Sequence, residues 1–343
     1  MDDEILIRQN GHIGHITLNR PKALNALTQG MVDAMEPALV AWAMDDTIKA
    51  VVIDATGDKA FCAGGDVTQL YHESRAGNIG FGHKFWRDEY RVNAMIAEFP
   101  KPYVALMDGI VMGGGVGVSA HGSHRIVTDR TMFAMPECAI GLIPDVGGTY
   151  LLANARGSLG EYLGITGARM NGADCIYAGQ ADFYVPHEQL PALLDELVKT
   201  GDVGVIANFA QSPPNSALAD QQSTIDAVFG LPDMAQINAA LDGDDTEWGA
   251  KTRKQISHGA PLSAVMTLEL IRAARGGDIK LALRNEYRFV SRCAEQSDFV
   301  EGVRAMLIDK DRNPNWRFKS IADIPQSLID ELMQPAPDGD LNL

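Results

Sequence analysis

Two carboxylates are singled out by the company they keep. Glu137 follows Met135-Pro136 at the end of an apolar run, and Asp145 lies further along, directly before Val146-Gly147-Gly148. Upstream, Gly113-Gly114-Gly115 opens a segment of small residues, and Ala63-Gly64-Gly65-Asp66 closes an earlier loop. Glycine lets a backbone come close to a ligand, and amides at a helix start hold anionic oxygens. The combination points to acid–base or nucleophilic chemistry on a carbonyl whose oxygen is held by backbone N–H groups.

Positioning such groups requires alternating strands and helices, and the sequence supplies them. Ile5-Leu-Ile7 and Gly14 to Leu18 alternate as two strands joined at Asn10-Gly11, a hairpin signal. A helix is predicted from Thr28, with Met31, Met35, Leu39 and Trp42 as its core stripe. Ala50 to Ala55 reads as a buried parallel strand, and residues 57–66 as a loop leading into a helix at Val67. Phe81 to Phe99 is amphipathic and rich in aromatics; by composition alone, Glu89 within it reads as a solvated helix charge. Tyr103 to Met107 is a second buried strand, Asp108-Gly109 a turn, and Gly113–Gly115 the first turns of a helix. Together, residues 50–185 predict βαβ units around a mainly parallel sheet. Beyond Val185 the pattern changes. Leu190 to Leu197 is helical, 211–215 breaks the chain, an acidic polar stretch runs to Asp245, and 260–310 is helical again. A boundary is placed near residue 200.

Composition narrows the classes. With 343 residues, 46% hydrophobic and 22% charged, the chain can bury the core of one large or two modest domains. A net charge of −16 disfavours nonspecific nucleic-acid binding, and no apolar run is long enough for a membrane span. The acidic start lacks the features of a signal or transit peptide, so a cytoplasmic location is expected. Cys62, Cys138, Cys175 and Cys293 form no C-x-x-C pair, which speaks against zinc or a disulfide framework. His121 and His124 fall i,i+3 on a possible helix but have no third ligand nearby, so no metal site is expected. Gly115-x-Gly117-x-x-Ala120, with Glu137 beyond it, formally fits a dinucleotide fingerprint. However, Pro136 precedes the acid directly, and that reading leaves the Ala63–Asp66 loop without a role. It would make the chain a nucleotide-dependent oxidoreductase.

Cys62-Ala-Gly-Gly-Asp66, Met112-Gly-Gly-Gly115 and Met135-Pro-Glu137, in that order, resemble the crotonase (enoyl-CoA hydratase/isomerase) superfamily over nearly the whole chain. Within it, the stretches 59–66, 101–119, 133–150, 165–170 and 286–316 are most similar to the 3-hydroxyisobutyryl-CoA hydrolases. The last of these, ending in DKDRNPNW, is absent from ordinary hydratases.

The resemblance implies an α/β fold. Residues 1–200 would form a crotonase-like ββα spiral core carrying the oxyanion hole and catalytic acids. Residues 201–343 would form a helical C-terminal region capping the site. Backbone N–H groups of Gly65 and Gly114 would receive the thioester oxygen. Gly117 stands where hydratases carry their first catalytic glutamate; Glu137 matches the second, and Asp145 an acid typical of the hydrolases. Glu89 matches a substrate-contacting glutamate, against the compositional reading. Lys22, Ala23, Leu24, Lys59, Ala63, Gly64 and Asp66 would line the CoA path, with Arg20 and Lys310 as further phosphate candidates. The implied reaction is hydrolysis of 3-hydroxyisobutyryl-CoA or 3-hydroxypropionyl-CoA to free acid and CoA. The implied setting is valine catabolism, and CoA is part of the substrate rather than a cofactor. A homo-oligomer is among the expectations, since superfamily members often form trimers or hexamers. Enoyl-CoA hydratase, Δ3,Δ2-enoyl-CoA isomerase and a non-enzymatic acyl-CoA binder are the alternatives.

Overall fold

The computed structural model describes residues 3–343 and divides into two compact units that interleave along the chain. The first comprises Met1–Gly65, Asp88–Ala134 and Arg169–Ala219; the second comprises Asp66–Arg87, Met135–Ala168 and Asp220–Leu343. Residue 200 thus lies inside the first unit.

The first unit is built on a six-stranded sheet ordered β1-β2-β3-β5-β7-β9. Its strands are β1 (Ile5–Asn10), β2 (Ile13–Leu18), β3 (Ala50–Ala55), β5 (Tyr103–Met107), β7 (His124–Val127) and β9 (Phe183–Tyr184). Only β1 and β2 pair antiparallel, as the hairpin with Gly11 in its turn; every other neighbour is parallel. Ile13, Val52, Val104, Leu106 and Ile126 on one sheet face pack with Leu190, Leu193 and Leu197 of the helix Leu190–Thr200. Burial of these β-branched and leucine side chains stabilises the unit by roughly 1.5–3 kcal/mol each. The helix Gln29–Met44 starts at the expected cap: Thr28 accepts the N–H of Met31, and Met31, Met35, Leu39 and Trp42 are buried.

A second, smaller sheet was not visible as strands in the sequence. It joins β4 (Ala60–Cys62), β6 (Ile110–Met112) and β8 (Met132–Ala134), all parallel. Parallel strands end at a common edge. From that edge the chain enters 63–66, 113–115 and 135–137, the three motif segments, as ligand-bearing loops follow the carboxyl ends of strands in α/β proteins. His121 and His124 do not share a helix, because His124 already begins β7.

The second unit is helical among its described residues. The acidic polar stretch contains the helices Ala217–Phe229 and Met234–Asp242, the latter capped by Asp233 and burying Ile237 and Leu241. Tyr162, Phe229 and Trp248 form an aromatic cluster. The helix Phe299–Val303 presses on the short turn Glu137–Ile140. A Cβ at Gly302 would stand 2.3 Å from the Ile140 carbonyl carbon, so only glycine permits the approach. The DKD tail motif serves this packing. Arg304 binds Glu301 at 2.8 Å, Asp309 at 2.7 Å and Asp311 at 2.8 Å, in a π-helical turn.

Candidate active site

Gly65, Gly114 and Glu89 belong to the first unit. Leu24 and Asn25 both adopt left-handed backbone conformations, and the buried Asn25 side chain donates to the Thr56 and Ala60 carbonyls, each at 2.9 Å. It also accepts the Arg20 N–H at 2.8 Å. This pins the 20–25 loop beside β4, and Leu27 N–H in turn donates to the Gly64 carbonyl at 2.9 Å. Gly113 takes φ 49 and ψ −123 as the cap of the four-residue helix Gly114–Gly117, leaving Gly114 at its first position, where an N–H has no partner within the helix. A methyl built on Gly114 would stand 2.7 Å from Glu89 Oε1 and 3.1 Å from the Gly65 nitrogen. Gly65, Gly114 and Glu89 therefore converge on one point. Glu89 is 2% exposed, so it is a buried carboxylate and not the solvated charge that composition suggests. Burial pushes the neighbouring Cys62 thiol up to about 12, and the charge of Glu89 pushes in the same direction.

A cleft of about 360 Å³ is lined by Pro21, Lys22, Leu24, Asn25, Lys59 and neighbouring backbone. Lys22 and Lys59 are exposed at its wall, as an anionic group would require. Ala23 lies in the short 3-10 turn between them and Asn25. The other candidates are engaged differently. Arg20 holds the Ala26 carbonyl at 2.5 Å and Glu4 at 3.0 Å, which keeps it in the loop's scaffold. Ala63 N–H donates to Leu24 O at 3.0 Å. In the second unit, the Asp66 side chain caps the helix Val67–Arg75 by accepting the Gln69 N–H, and Lys310 is exposed within the tail motif.

The acids also belong to the second unit. Glu137 begins the turn Glu137–Ile140 after Pro136; it is 5% exposed, and its Oε2 has no hydrogen-bond partner. Asp145 is equally buried. It is followed by Val146 at φ 55 and Gly147 at φ 77, two successive left-handed residues. For β-branched Val146 that conformation costs about 1–2 kcal/mol. Burial raises the Glu137 carboxyl well above the usual glutamate range, and repulsion from Asp145 and then Glu286 adds to it. Glu286 is the residue that sequence reasoning passed over. Fully buried on the helix Ile279–Val290, its carboxylate accepts the N–H of Gly147 at 2.7 Å, the N–H of Thr149 at 2.9 Å and the Thr149 hydroxyl. One oxygen of Glu137 lies unpaired near other carboxylates in a site shielded from water. Such a group has the chemistry to accept a proton or to attack as a nucleophile.

The profile of the enoyl-CoA hydratase/isomerase family matches residues 13–333. The chain belongs to this family. Among curated family members, 3-hydroxyisobutyryl-CoA hydrolase, mitochondrial, of Gallus gallus is 38% identical over 351 residues, covering 99% of this chain and 91% of that protein. The protein of the same name from Xenopus tropicalis is 39% identical, covering 100% and 91%. Two solved family structures carry other names. An enoyl-CoA hydratase from Rhodobacter sphaeroides 2.4.1 superposes with a TM-score of 0.96 at 45% identity, covering 99% of this chain and 100% of that one. A carnitinyl-CoA dehydratase from Mycobacterium thermoresistibile superposes with 0.94 at 43% identity, covering 98% of each. The crotonase fold expected from the motifs is thus the fold of the chain, with helices throughout its C-terminal part. No helix among the described residues is long and apolar enough to cross a membrane.

Proposed function

We propose that this chain hydrolyses the thioester of a short 3-hydroxyacyl-CoA, with 3-hydroxyisobutyryl-CoA as first choice and 3-hydroxypropionyl-CoA as second. The thioester oxygen is received by the amides of Gly65 and Gly114, each donor worth about 3 kcal/mol to the developing oxyanion. Glu137 acts on the carbonyl carbon in one of two ways. As a base it takes a proton from water while the hydroxide adds, the C–S bond breaks, and the proton passes to the departing CoA thiolate. As a nucleophile its carboxylate oxygen displaces the CoA thiolate as the C–S bond breaks, giving a mixed anhydride that water then opens to the free acid and the Glu137 carboxylate, the proton from water passing to the thiolate. Raised proton affinity suits the first route, because a stronger base removes the water proton more readily. Asp145 and Glu89 grip the 3-hydroxyl. Lys22 and Lys59 meet the CoA phosphates, so CoA enters and leaves as part of the substrate.

One observation carries the reading. Glu137 keeps a buried, unpartnered oxygen, whereas Gly117, at the position of the other hydratase acid, is a buried glycine inside a helix. Adding water across a double bond in the hydratase manner uses two carboxyls; thioester hydrolysis needs one. The curated relatives named as 3-hydroxyisobutyryl-CoA hydrolases agree with this. A hydratase is the second reading, favoured by the name of the 45% identical structure. The test is Glu137→Gln. Thiol release should fall by about 100- to 10,000-fold, the range for a lost general base, with CoA-ester binding retained. Near-wild-type turnover in that variant would refute the role given to Glu137.

A further inference from the structure

Glu286 has no place in the mechanism above, yet it is among the most completely buried carboxyls of the second unit. Its three donors all come from residues 147–149, the turn that follows Asp145. That turn is strained at Val146 and closed by Gly148 N–H donating to the Asp145 carbonyl at 2.6 Å. A strained conformation persists only where surrounding bonds over-determine it. Here the side chain of Glu286 supplies those bonds from a distant part of the sequence.

We infer that Glu286 is a positioning residue: its side chain fixes the turn that presents Asp145. The inference rests on the reading of Glu137 and Asp145 given above. Burial pushes Glu286 up to about 8, opposed by the Thr149 hydroxyl and the Gly147 N–H, while Asp145 pushes it further up. The charge of Asp145, from the turn, bears on both Glu286 and Glu137, and Glu286 bears on Glu137. Burial and then the charge of Asp145 hold Cys293, on the helix Cys293–Gln296, well above the usual thiol range. Proton uptake therefore belongs to coupled carboxyls rather than to Glu137 alone.

Removing the hydrogen bonds loosens the Asp145 turn, and a misplacement near 1 Å costs roughly 100-fold in rate. Because Asp145 is read as gripping the 3-hydroxyl, the loss falls on substrates that carry one. Glu286→Gln, which sets an N–H group against one of the turn's N–H donors, should release thiol from 3-hydroxyisobutyryl-CoA about 100-fold more slowly and lower that rate relative to isobutyryl-CoA. Glu286→Asp, which keeps the carboxyl but shortens the reach, should lower the same ratio. If Glu286→Gln fails to fold, Thr149→Val serves instead. It removes only the hydroxyl donor and should lower the ratio in the same direction.

An unchanged ratio of 3-hydroxyisobutyryl-CoA to isobutyryl-CoA hydrolysis in Glu286→Gln, whatever its rate, would reduce Glu286 to scaffold and overturn the inference. So would wild-type kcat in both Glu286 variants. A Glu137→Gln enzyme that still hydrolyses thioester would instead overturn the catalytic reading, and this inference with it.

Discussion

Gly114→Ala tests the amide half of the site with the smallest possible change. The added methyl would stand 2.7 Å from Glu89 Oε1 and 3.1 Å from the Gly65 nitrogen. To reach ordinary contact distance, the carboxylate must retreat by roughly 0.7 Å and the Gly65 backbone by roughly 0.3 Å. The methyl also projects into the point where those groups converge, which is where the thioester oxygen would sit. Loss of one oxyanion donor costs about 3 kcal/mol, or about 100-fold in kcat. Stability should fall by about 0–2.5 kcal/mol. Alanine is favoured over glycine in a helix by about 0.5–1 kcal/mol, which partly offsets about 1–3 kcal/mol of overpacking. The assay is thiol release from 3-hydroxyisobutyryl-CoA, resolved into kcat and KM, beside a thermal melt. The control is Gly30→Ala, whose Cβ would meet only Thr28 Oγ1 at 3.8 Å and should leave both parameters alone. A folded Gly114→Ala enzyme with kcat within about threefold of wild type would refute the placement of the oxyanion.

Two further outcomes follow from the acids. Asp145→Asn should slow 3-hydroxyacyl-CoA hydrolysis more than hydrolysis of the matching acyl-CoA without a hydroxyl, because a site that binds a substrate hydroxyl discriminates through it; equal losses would remove that role. Stability should fall as pH rises from about 4.5 to about 8. Over that window the folded state holds protons on Glu286 and Glu137 that the unfolded chain has released, so the unfolded state binds fewer protons. Thermal melts across this range should show the decline, and Glu286→Gln should flatten it. A stability that climbs through the same range, or an unchanged slope in the variant, would contradict the buried, protonated character of these carboxyls.

The parts of the site legible in the sequence were those written as local chemistry. Gly64-Gly65, Gly113-Gly114 and Pro136-Glu137 are short, unusual strings, and each lies just beyond a strand end. Strands β3 and β5 announced themselves as unbroken apolar runs, and Thr28 as a helix cap. The three-residue strands β4, β6 and β8 are too short to show any period, and parallel pairing comes only from distant chain. Acidic composition hid Met234–Asp242, although Asp233 is a regular cap and Ile237 and Leu241 recur at helical spacing. Glu286 looks like any glutamate on an amphipathic helix; its importance lies in partners at 147 and 149, which no local signal records. Glu89 was misread on composition for the same reason, since burial is decided by tertiary contacts.

The most direct measurement is thiol release, followed with a thiol-reactive dye, from 3-hydroxyisobutyryl-CoA, isobutyryl-CoA and crotonyl-CoA side by side. A 3-hydroxyacyl-CoA hydrolase releases thiol rapidly from the 3-hydroxyacyl ester and little from the other two. No thiol from any of them, together with loss of the crotonyl enone absorbance, would contradict that activity and make the chain a hydratase despite Gly117.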